Sequence, residues 1–228
     1  MDKYKDAFIT GCDRKTEWML PWFLSNYKKE NVIPIVFVDF GVSTSMKDWC
    51  HRHFNAVVDL PKEEMNANIS WFYKPMALSY ERAEKKVWID TDCEVLGDLS
   101  HIFHHLETNK LALVEDLPWS SRRQETWHNT GVVGCISHPS ILSEWISNCR
   151  KPSQLPANPN LPPPGDQDVL HYTLGPDPLR RRIHITDLPN KYNVVRIQHI
   201  DGTVPQNPLV FHWTGAKGKE VIKKKIGK

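Results

Sequence analysis

Two carboxylates one residue apart, Asp90 and Asp92, close the apolar run Val87-Trp88-Ile89. In an extended segment the side chains at i and i+2 leave the same face, so both acids can point at one ion. Hard oxygen donors at a strand end, where an α/β sheet opens its ligand crevice, suit Mg2+ or Mn2+ carrying a diphosphate. One such pair is expected by chance in a chain of this size. Its setting gives it weight: Val95, Leu96 and Leu99 resume the apolar pattern directly after it.

The elements that would position these acids follow from periodicity. Ala7–Thr10 reads as a buried first strand ending in Gly11-Cys12-Asp13. A helix follows over Thr16–Asn26, with Trp18, Trp22 and Phe23 at helical spacing and Pro21 as a potential kink. Val32–Phe40 is a second strand with its own terminal acid, Asp39. Ser45–Phe54 reads as a helix capped by Ser43, Thr44 or Ser45; Ala56–Val58 is a strand and Trp71–Ala83 a helix. Beyond the acidic pair come strands at Leu111–Val114 and Thr130–Ile136 and a helix over Ile141–Asn148. A Pro- and Asn-rich loop fills 152–164 and a helix spans Asp166–Tyr172. Strand candidates at Ile183–Ile185 and Leu209–Phe211 precede a lysine-rich tail. Strands alternating with helices indicate an α/β fold with a mostly parallel central sheet flanked by helices. Asp13, Asp39, Asp90, Asp92 and Asp116 then share one rim of that sheet. A single acid there is a turn or helix cap, whereas several converging ones point to a site.

With 228 residues and no internal repeat or linker, the chain reads as one domain, 1–228, with a basic C-terminal tail from about 217. A net charge of +2 is too small to argue for nucleic acid. Lys217, Lys219, Lys223, Lys224, Lys225 and Lys228 crowd the C-terminus. They read as a solvated tail, with peripheral contact to an anionic membrane surface or a substrate phosphate as the sharper alternatives. Five cysteines without Cys-x-x-Cys spacing argue for reduced thiols and against a zinc module. No apolar leader or membrane-length run is seen, so a cytoplasmic location is expected and the sequon Asn68-Ile69-Ser70 is silent.

Five segments carry a resemblance: Trp88-Ile89-Asp90-Thr91-Asp92, Asn129-Thr130-Gly131-Val132, Asp166-Gln167-Asp168, Leu188-Pro189-x-x-Tyr192-Asn193 and His212-x-x-Gly215-x-Lys217. In this order, over residues 9 to 219, they resemble GT-A fold glycosyltransferases, most closely family 8, the retaining galactosyl- and glucosyltransferase type, or a small viral or bacterial relative of it. The resemblance implies a Rossmann-like nucleotide-diphospho-sugar transferase fold. It also implies sugar transfer from a nucleotide sugar, UDP favoured over GDP, to a glycan, lipid-linked or protein acceptor. It implies Mn2+ (or Mg2+) held by Asp90, Asp92 and His212. Thr10, Gly11 and Asp13 would hold the nucleobase and ribose, while Thr91, Gly215 and Lys74 would touch the donor. Asp116, Asn129, Asp166 and Gln167 would grip the donor sugar, and Asp168, with Asp166 behind it, would serve as base if the reaction inverts.

The chain departs from the family pattern at two positions. Counted from His212, the motif's lysine falls on Gly218, so Lys217 or Lys219 would supply the phosphate charge. Lys74 stands where the family often has Arg, a point charge in place of a bidentate fork.

Other conspicuous residues have plainer readings. Asp98, Asp187 and Asp201 read as turn residues, His51, His53, His104 and His105 as surface histidines, and Arg180-Arg181-Arg182 as a solvated face. Trp18, Trp22, Trp88 and Trp145 lie in apolar patterns and read as core; Trp71, Trp119, Trp127 and Trp213 lie near the rim. A dehalogenase-type phosphatase is disfavoured because Glu94 occupies the position where it wants Thr or Val. A sugar nucleotidyltransferase would need a Gly-rich loop where Gly11-Cys12-Asp13-Arg14 stands. A non-catalytic nucleotide-sugar or glycan-binding module is the remaining alternative.

Overall fold

The computed structural model describes residues 4–60, 70–80, 82–151 and 164–227. The first half runs β1 (Tyr4–Cys12), α1 (Leu20–Glu30), β2 (Ile35–Asp39), α2 (Thr44–His53), β3 (Ala56–Asp59), α3 (Lys74–Leu78), β4 (Ala83–Ile89) and β5 (Cys93–Val95). Then come β6 (Leu111–Glu115), α4 (Leu117–Arg123), β7 (His128–Ile136), α5 (Ser140–Cys149), α6 (Asp166–Leu174) and α7 (Pro178–His184). The chain closes with β8 (Ile185–Asp187), β9 (Val194–Val195), α8 (Arg196–Ile200), β10 (Val210–His212) and α9 (Gly215–Lys225).

Among the described residues a seven-stranded sheet has the order β3-β2-β1-β4-β7-β6-β8. Every neighbouring pair is parallel except those of β7, which runs against β4 and β6. The C-terminal ends of β1, β2, β4 and β6 therefore share a rim with the start of β7. That topology gathers Asp13, Asp39, Asp90, Asp116 and Asn129 from distant parts of the chain. A second, three-stranded sheet orders β5-β10-β9 and sets His212 opposite Cys93. β7 slips against β6 where the site begins: Leu113 faces Val133, but Val114 faces Asn129. Such irregularities re-aim side chains.

Alternation at period two divides the strand residues between two cores. Phe8, Val87 and Ile89 pack with Leu20, Phe23 and Tyr27 of α1. Ile9, Trp88, Leu113 and Val133 pack on the other face with Leu142 and Trp145 of α5 and Leu170 of α6. Both faces are covered, which is why the strands read as unbroken apolar runs.

Several expectations are corrected. Pro21 sits in the first turn of α1, where its missing N–H is harmless, so it starts the helix and does not kink it. The helix expected over Trp71–Ala83 is a 3-10 turn, Ser70–Tyr73, followed by the short α3, and Ala83 already opens β4. Ile183 belongs to α7, which Asp177 caps through the Leu179 N–H, and the strand begins at Ile185. The lysine tail is largely the helix α9, anchored by Ile222, which packs with Met19 and Trp213. The sequon residues 68 and 69, loop residues 152–163 and Lys228 lie outside the described residues. All five cysteines are free and buried. No helix among the described residues is long and apolar enough to cross a membrane.

Candidate active site

The acidic pair sits on a turn held from both sides. The Asp90 N–H donates to the Gly131 carbonyl of β7 (2.8 Å), and the Cys93 N–H donates back to the Asp90 carbonyl (3.0 Å). From the second sheet the Trp213 N–H donates to the Asp92 carbonyl (3.0 Å), which fixes His212 beside the turn. The His212 Nε2 lies 3.2 Å from Asp92 Oδ1 and 3.6 Å from Asp90 Oδ2. Gly131 makes this approach feasible, since a Cβ there would fall 2.2 Å from the His212 Cε1.

The other imidazole nitrogen is locked. His212 Nδ1 lies 3.1 Å from both Asn129 Oδ1 and Asn193 Oδ1. The Gly131 backbone N–H also donates to Asn129 Oδ1 (2.9 Å), so that atom is an acceptor whichever way the amide is drawn. Asn193 Nδ2 donates to the same oxygen (2.9 Å). Nδ1 therefore carries a proton, which leaves Nε2, the nitrogen that faces the acids, as the one able to ligate a metal once its own proton is displaced. Asn193 was quoted in the sequence only as part of a turn motif; its place directly after Tyr192 in that motif was the available signal.

Donor atoms of Asp92, Cys93 and His212 lie within 4.8 Å of one another. Cys93 is there because its strand pairs with His212, and burial first, then Asp92 and Asp90, push its thiol well up. Hard cations prefer oxygen and imidazole nitrogen to sulfur, and two carboxylates with an imidazole form a set that fits Mn2+ or Mg2+ better than a softer ion. Asp92 and His212 belong to that group, and Asp90 Oδ2, 3.6 Å from His212 Nε2, is placed to join them in holding a divalent cation.

Charge around this set is dense. Lys74 is buried with its Nζ 3.0 Å from Asp90 Oδ1, 2.9 Å from Asp166 Oδ2 and 2.9 Å from the Thr130 carbonyl. Burial opposes the charge on Lys74, but Asp166 and Asp90 outweigh it and raise its pKa. Asp90 is raised by burial, which Lys74 offsets only in part. Asp92, also buried, is brought down to about 2 by His212 and Lys219, the latter with its Nζ 3.4 Å from Asp92 Oδ2. His212 is raised despite burial, Asp92 being the main cause.

A second network lies alongside. Asp116 Oδ2 accepts from Asn129 Nδ2 (2.9 Å) and Gln167 Nε2 (3.4 Å), while Asp166 Oδ2 accepts from the Thr130 hydroxyl (2.7 Å). Asp168 stands apart: its carboxylate accepts from the Gly165 N–H (2.7 Å) and caps α6. A cleft of about 250 Å³ joins the rim, lined by Gly11, Thr16, Phe40, Trp71, Lys74, Trp88, Asp90, Thr91, Asp92, Asp166 and Lys219, among others. Phe40 and Trp88 stack in its wall (5.8 Å, 8°), and Trp71 is nearly half exposed at 47%. Neither Phe40 nor Ser70 was singled out in the sequence.

The remaining named residues have clear positions. Thr10 is buried with its hydroxyl on the Ile89 carbonyl (2.7 Å), so it ties β1 to β4. Asp13 accepts from the Lys15 and Thr16 N–H groups and from the Ser70 hydroxyl (2.9 Å). Asp39 leaves the site: its carboxylate holds the Gly41 and Val42 N–H groups and pairs with Lys47 (3.2 Å). Asp98 accepts from Ser100, as a turn residue does, but Asp187 does more than turn the chain, lying 2.7 Å from His128 Nε2. Arg180 pairs with Glu144 and Arg181 donates to His171, so that face is only partly solvated. Gly215 and Lys217 are exposed at the start of α9, whereas Lys219 reaches the cleft.

Gly218 explains why the motif lysine is missing. A Cβ there would lie 1.9 Å from the Trp213 carbonyl oxygen. Glycine to alanine within a helix normally stabilises by about 1 kcal/mol. Here Gly218→Ala is expected to lower the melting temperature, and Gly218→Lys to lower it further; a raised melting temperature would contradict this close approach.

His171 provides a pH-dependent prediction. It stacks on Trp127 (3.6 Å, 6°), and burial, then Arg181, lower its pKa from 6.5 to about 4. Between those values the unfolded chain takes up a proton that the folded chain refuses, so stability falls as pH drops through that window. His171→Phe keeps the stack and removes the titration. Urea unfolding from pH 7.5 to 4.5 should show a shallower pH dependence in the variant, and parallel profiles would refute the assignment.

Neither the protein-family models nor the curated proteins compared with the chain match it. Solved structures do. The galactosyltransferase LgtC, crystallised with donor and acceptor sugar analogs, superposes with a TM-score of 0.63 at 14% identity, covering 97% of this chain and 95% of that one. The glycosyltransferase GlyE of Streptococcus pneumoniae TIGR4 gives 0.67 at 16% identity, covering 93% and 55%. Mouse xyloside xylosyltransferase 1, in its apo form, gives 0.55 at 10%, covering 92% and 97%. The chain has the GT-A glycosyltransferase fold, the fold expected from its sequence.

Proposed function

We propose that this protein is a metal-dependent glycosyltransferase that moves a sugar from a nucleotide-diphosphate sugar, a UDP-sugar in the first instance, to an acceptor hydroxyl. The observation that carries the reading is the meeting of Asp90, Asp92 and the Nε2 of His212 at the edge of the cleft, with Nδ1 of the histidine held from behind by Asn129. Mn2+ or Mg2+ bound there supplies Lewis-acid stabilisation of the departing diphosphate.

The chain's own residues do the rest. Lys219, already at the cleft, adds positive charge beside the phosphates, assisted by Lys217 and the exposed start of α9 at Gly215. The nucleobase fits the part of the cleft lined by Gly11, Thr16 and Trp71, with Asp13 and Thr10 shaping the turn behind it and Thr91 on its floor. Asp116, Asn129, Asp166 and Gln167 orient the donor sugar by hydrogen bonds, and Lys74 keeps Asp90 and Asp166 in place.

In the transfer step the bond from the anomeric carbon to the diphosphate oxygen breaks, and the nucleoside diphosphate departs. The acceptor oxygen bonds to that carbon and its proton passes to the departing phosphate or to water. Retention of configuration is the form of the reaction that the family resemblance implies; Asp166, one of the two candidate bases for inversion, is held by Lys74 and Thr130. Inversion needs a free base near the acceptor, and Asp168 is engaged as a helix cap.

Incubation with Mn2+ and a panel of nucleotide sugars should release UDP from a UDP-sugar and release none once the metal is chelated. The anomeric configuration of the product, read by NMR, should match the donor's. Free inorganic phosphate as the product, or binding with no turnover, would contradict the proposal.

A further inference from the structure

Beside Asp116 lies a cluster that the account so far does not use. The Arg123 guanidinium carbon sits 4.9 Å from the centre of the Trp119 ring and 5.4 Å from that of Trp127. The two indoles are 6.3 Å apart at 89°, so the cation lies in a corner between perpendicular aromatic planes. The corner is rigid from behind. Trp127 is buried, stacks on His171, and donates its Nε1–H to Glu125 (3.1 Å). Trp119 and Arg123 are half-buried and open to solvent.

Among the described residues no carboxylate lies within ion-pair distance of Arg123, and Asp168, whose charge it feels, is engaged as the cap of α6. Glu125, two positions away, is engaged by Trp127 and lies 3.5 Å from His171 Nε2. Placement adds a second observation: Asp116 caps α4 by accepting from the Trp119 N–H (3.2 Å), and its other oxygen accepts from Asn129 and Gln167. The corner therefore begins one helical turn from the residues assigned to the donor sugar.

We infer that Trp119, Arg123 and Trp127 form an acceptor subsite for a glycoside carrying an anionic group, a carboxylate or a phosphate ester. The planar fork of an arginine with its donors unfilled matches either anion bidentately, and an adjoining indole face suits the C–H edges of a pyranose. The inference rests on the glycosyl-transfer reading for the reaction it serves, but the binding surface is tested independently of turnover. The anionic group is unchanged in the reaction and serves only to place the hydroxyl that attacks.

The test is calorimetric titration of the full chain, with Mn2+ and UDP present, using an aryl glucuronide, the matching neutral glucoside and the glucoside 6-phosphate. At least one anionic probe should bind at least about tenfold more tightly than the neutral one. Which anion binds more tightly identifies the group the corner takes. Arg123→Gln should bring all three probes to the same affinity, and Trp119→Ala should weaken all three. Equal binding of neutral and anionic probes to the wild-type chain overturns the inference, as does an anionic preference that survives Arg123→Gln. A wild-type chain that binds the anionic probes selectively but releases no UDP from any UDP-sugar overturns the transfer reading alone.

Discussion

Asp92→Ala abolishes sugar transfer and metal-dependent nucleotide binding in this account, with a loss in kcat/KM on the order of a thousandfold or more, while the fold survives. The reason lies in what the side chain touches. One carboxylate oxygen of Asp92 faces His212 Nε2 on β10 and the other faces Lys219 on α9, and both elements have other anchors, β10 in its pairing with β5 and β9 and α9 in the packing of Ile222. The tie between the two sheets at this point is the Trp213 N–H on the Asp92 carbonyl, a backbone bond that the substitution leaves in place. UDP release and calorimetric titration of UDP with Mn2+ measure the loss, and a thermal melt verifies folding. A folded variant with full activity would remove Asp92 from the site.

The second large effect is on stability. Lys74→Met keeps the length of the side chain but removes the one buried cation between Asp90 and Asp166. Leaving a buried charge uncompensated costs about 3–5 kcal/mol, which a urea melt at neutral pH would register as a sharp drop in midpoint. The double variant Lys74→Met/Asp166→Asn removes one of the two stranded carboxylates and should recover part of that loss. A single variant within about 1 kcal/mol of wild type, or a double variant less stable than the single, would show that shape and not charge fixes Lys74.

How much of this was legible beforehand differs from residue to residue. The strand ends were, because strands buried on both faces leave continuous apolar runs, and an acid after each run is conspicuous. The rim of Asp90, Asp92 and Asp116 follows from that pattern plus parallel order. The reversed direction of β7 was not legible, since strand pairing is decided by partners far away in the chain. The strands β5, β9 and β10 have two or three residues each, too few to show a period, yet they deliver His212 to the acids. Only the resemblance to a glycosyltransferase family anticipated that delivery.

Some misreadings had a local signal that went unused. Asp177-Pro178 is a cap followed by a first-turn proline, and it marks the helix that runs to His184 and delays the expected strand to Ile185. Gly218 and Ile222 stand four apart, the spacing of one helix face, in what read as a lysine tail. Asp39 and Asp168 could not be told from site acids by type and position. Their carboxylates cap backbone N–H groups, and capping and catalysis draw on the same residue at the same place.

The account stands or falls on whether one cation joins residues 90, 92 and 212. Anomalous diffraction at the manganese edge, from crystals grown with MnCl2 and UDP, tests that directly. The expected result is a single peak within bonding distance of the Asp90 and Asp92 carboxylates and the His212 Nε2, with the diphosphate completing the shell. A peak whose ligands exclude His212, or a UDP-bound site with no peak and His212 still beside Asp92, would contradict it.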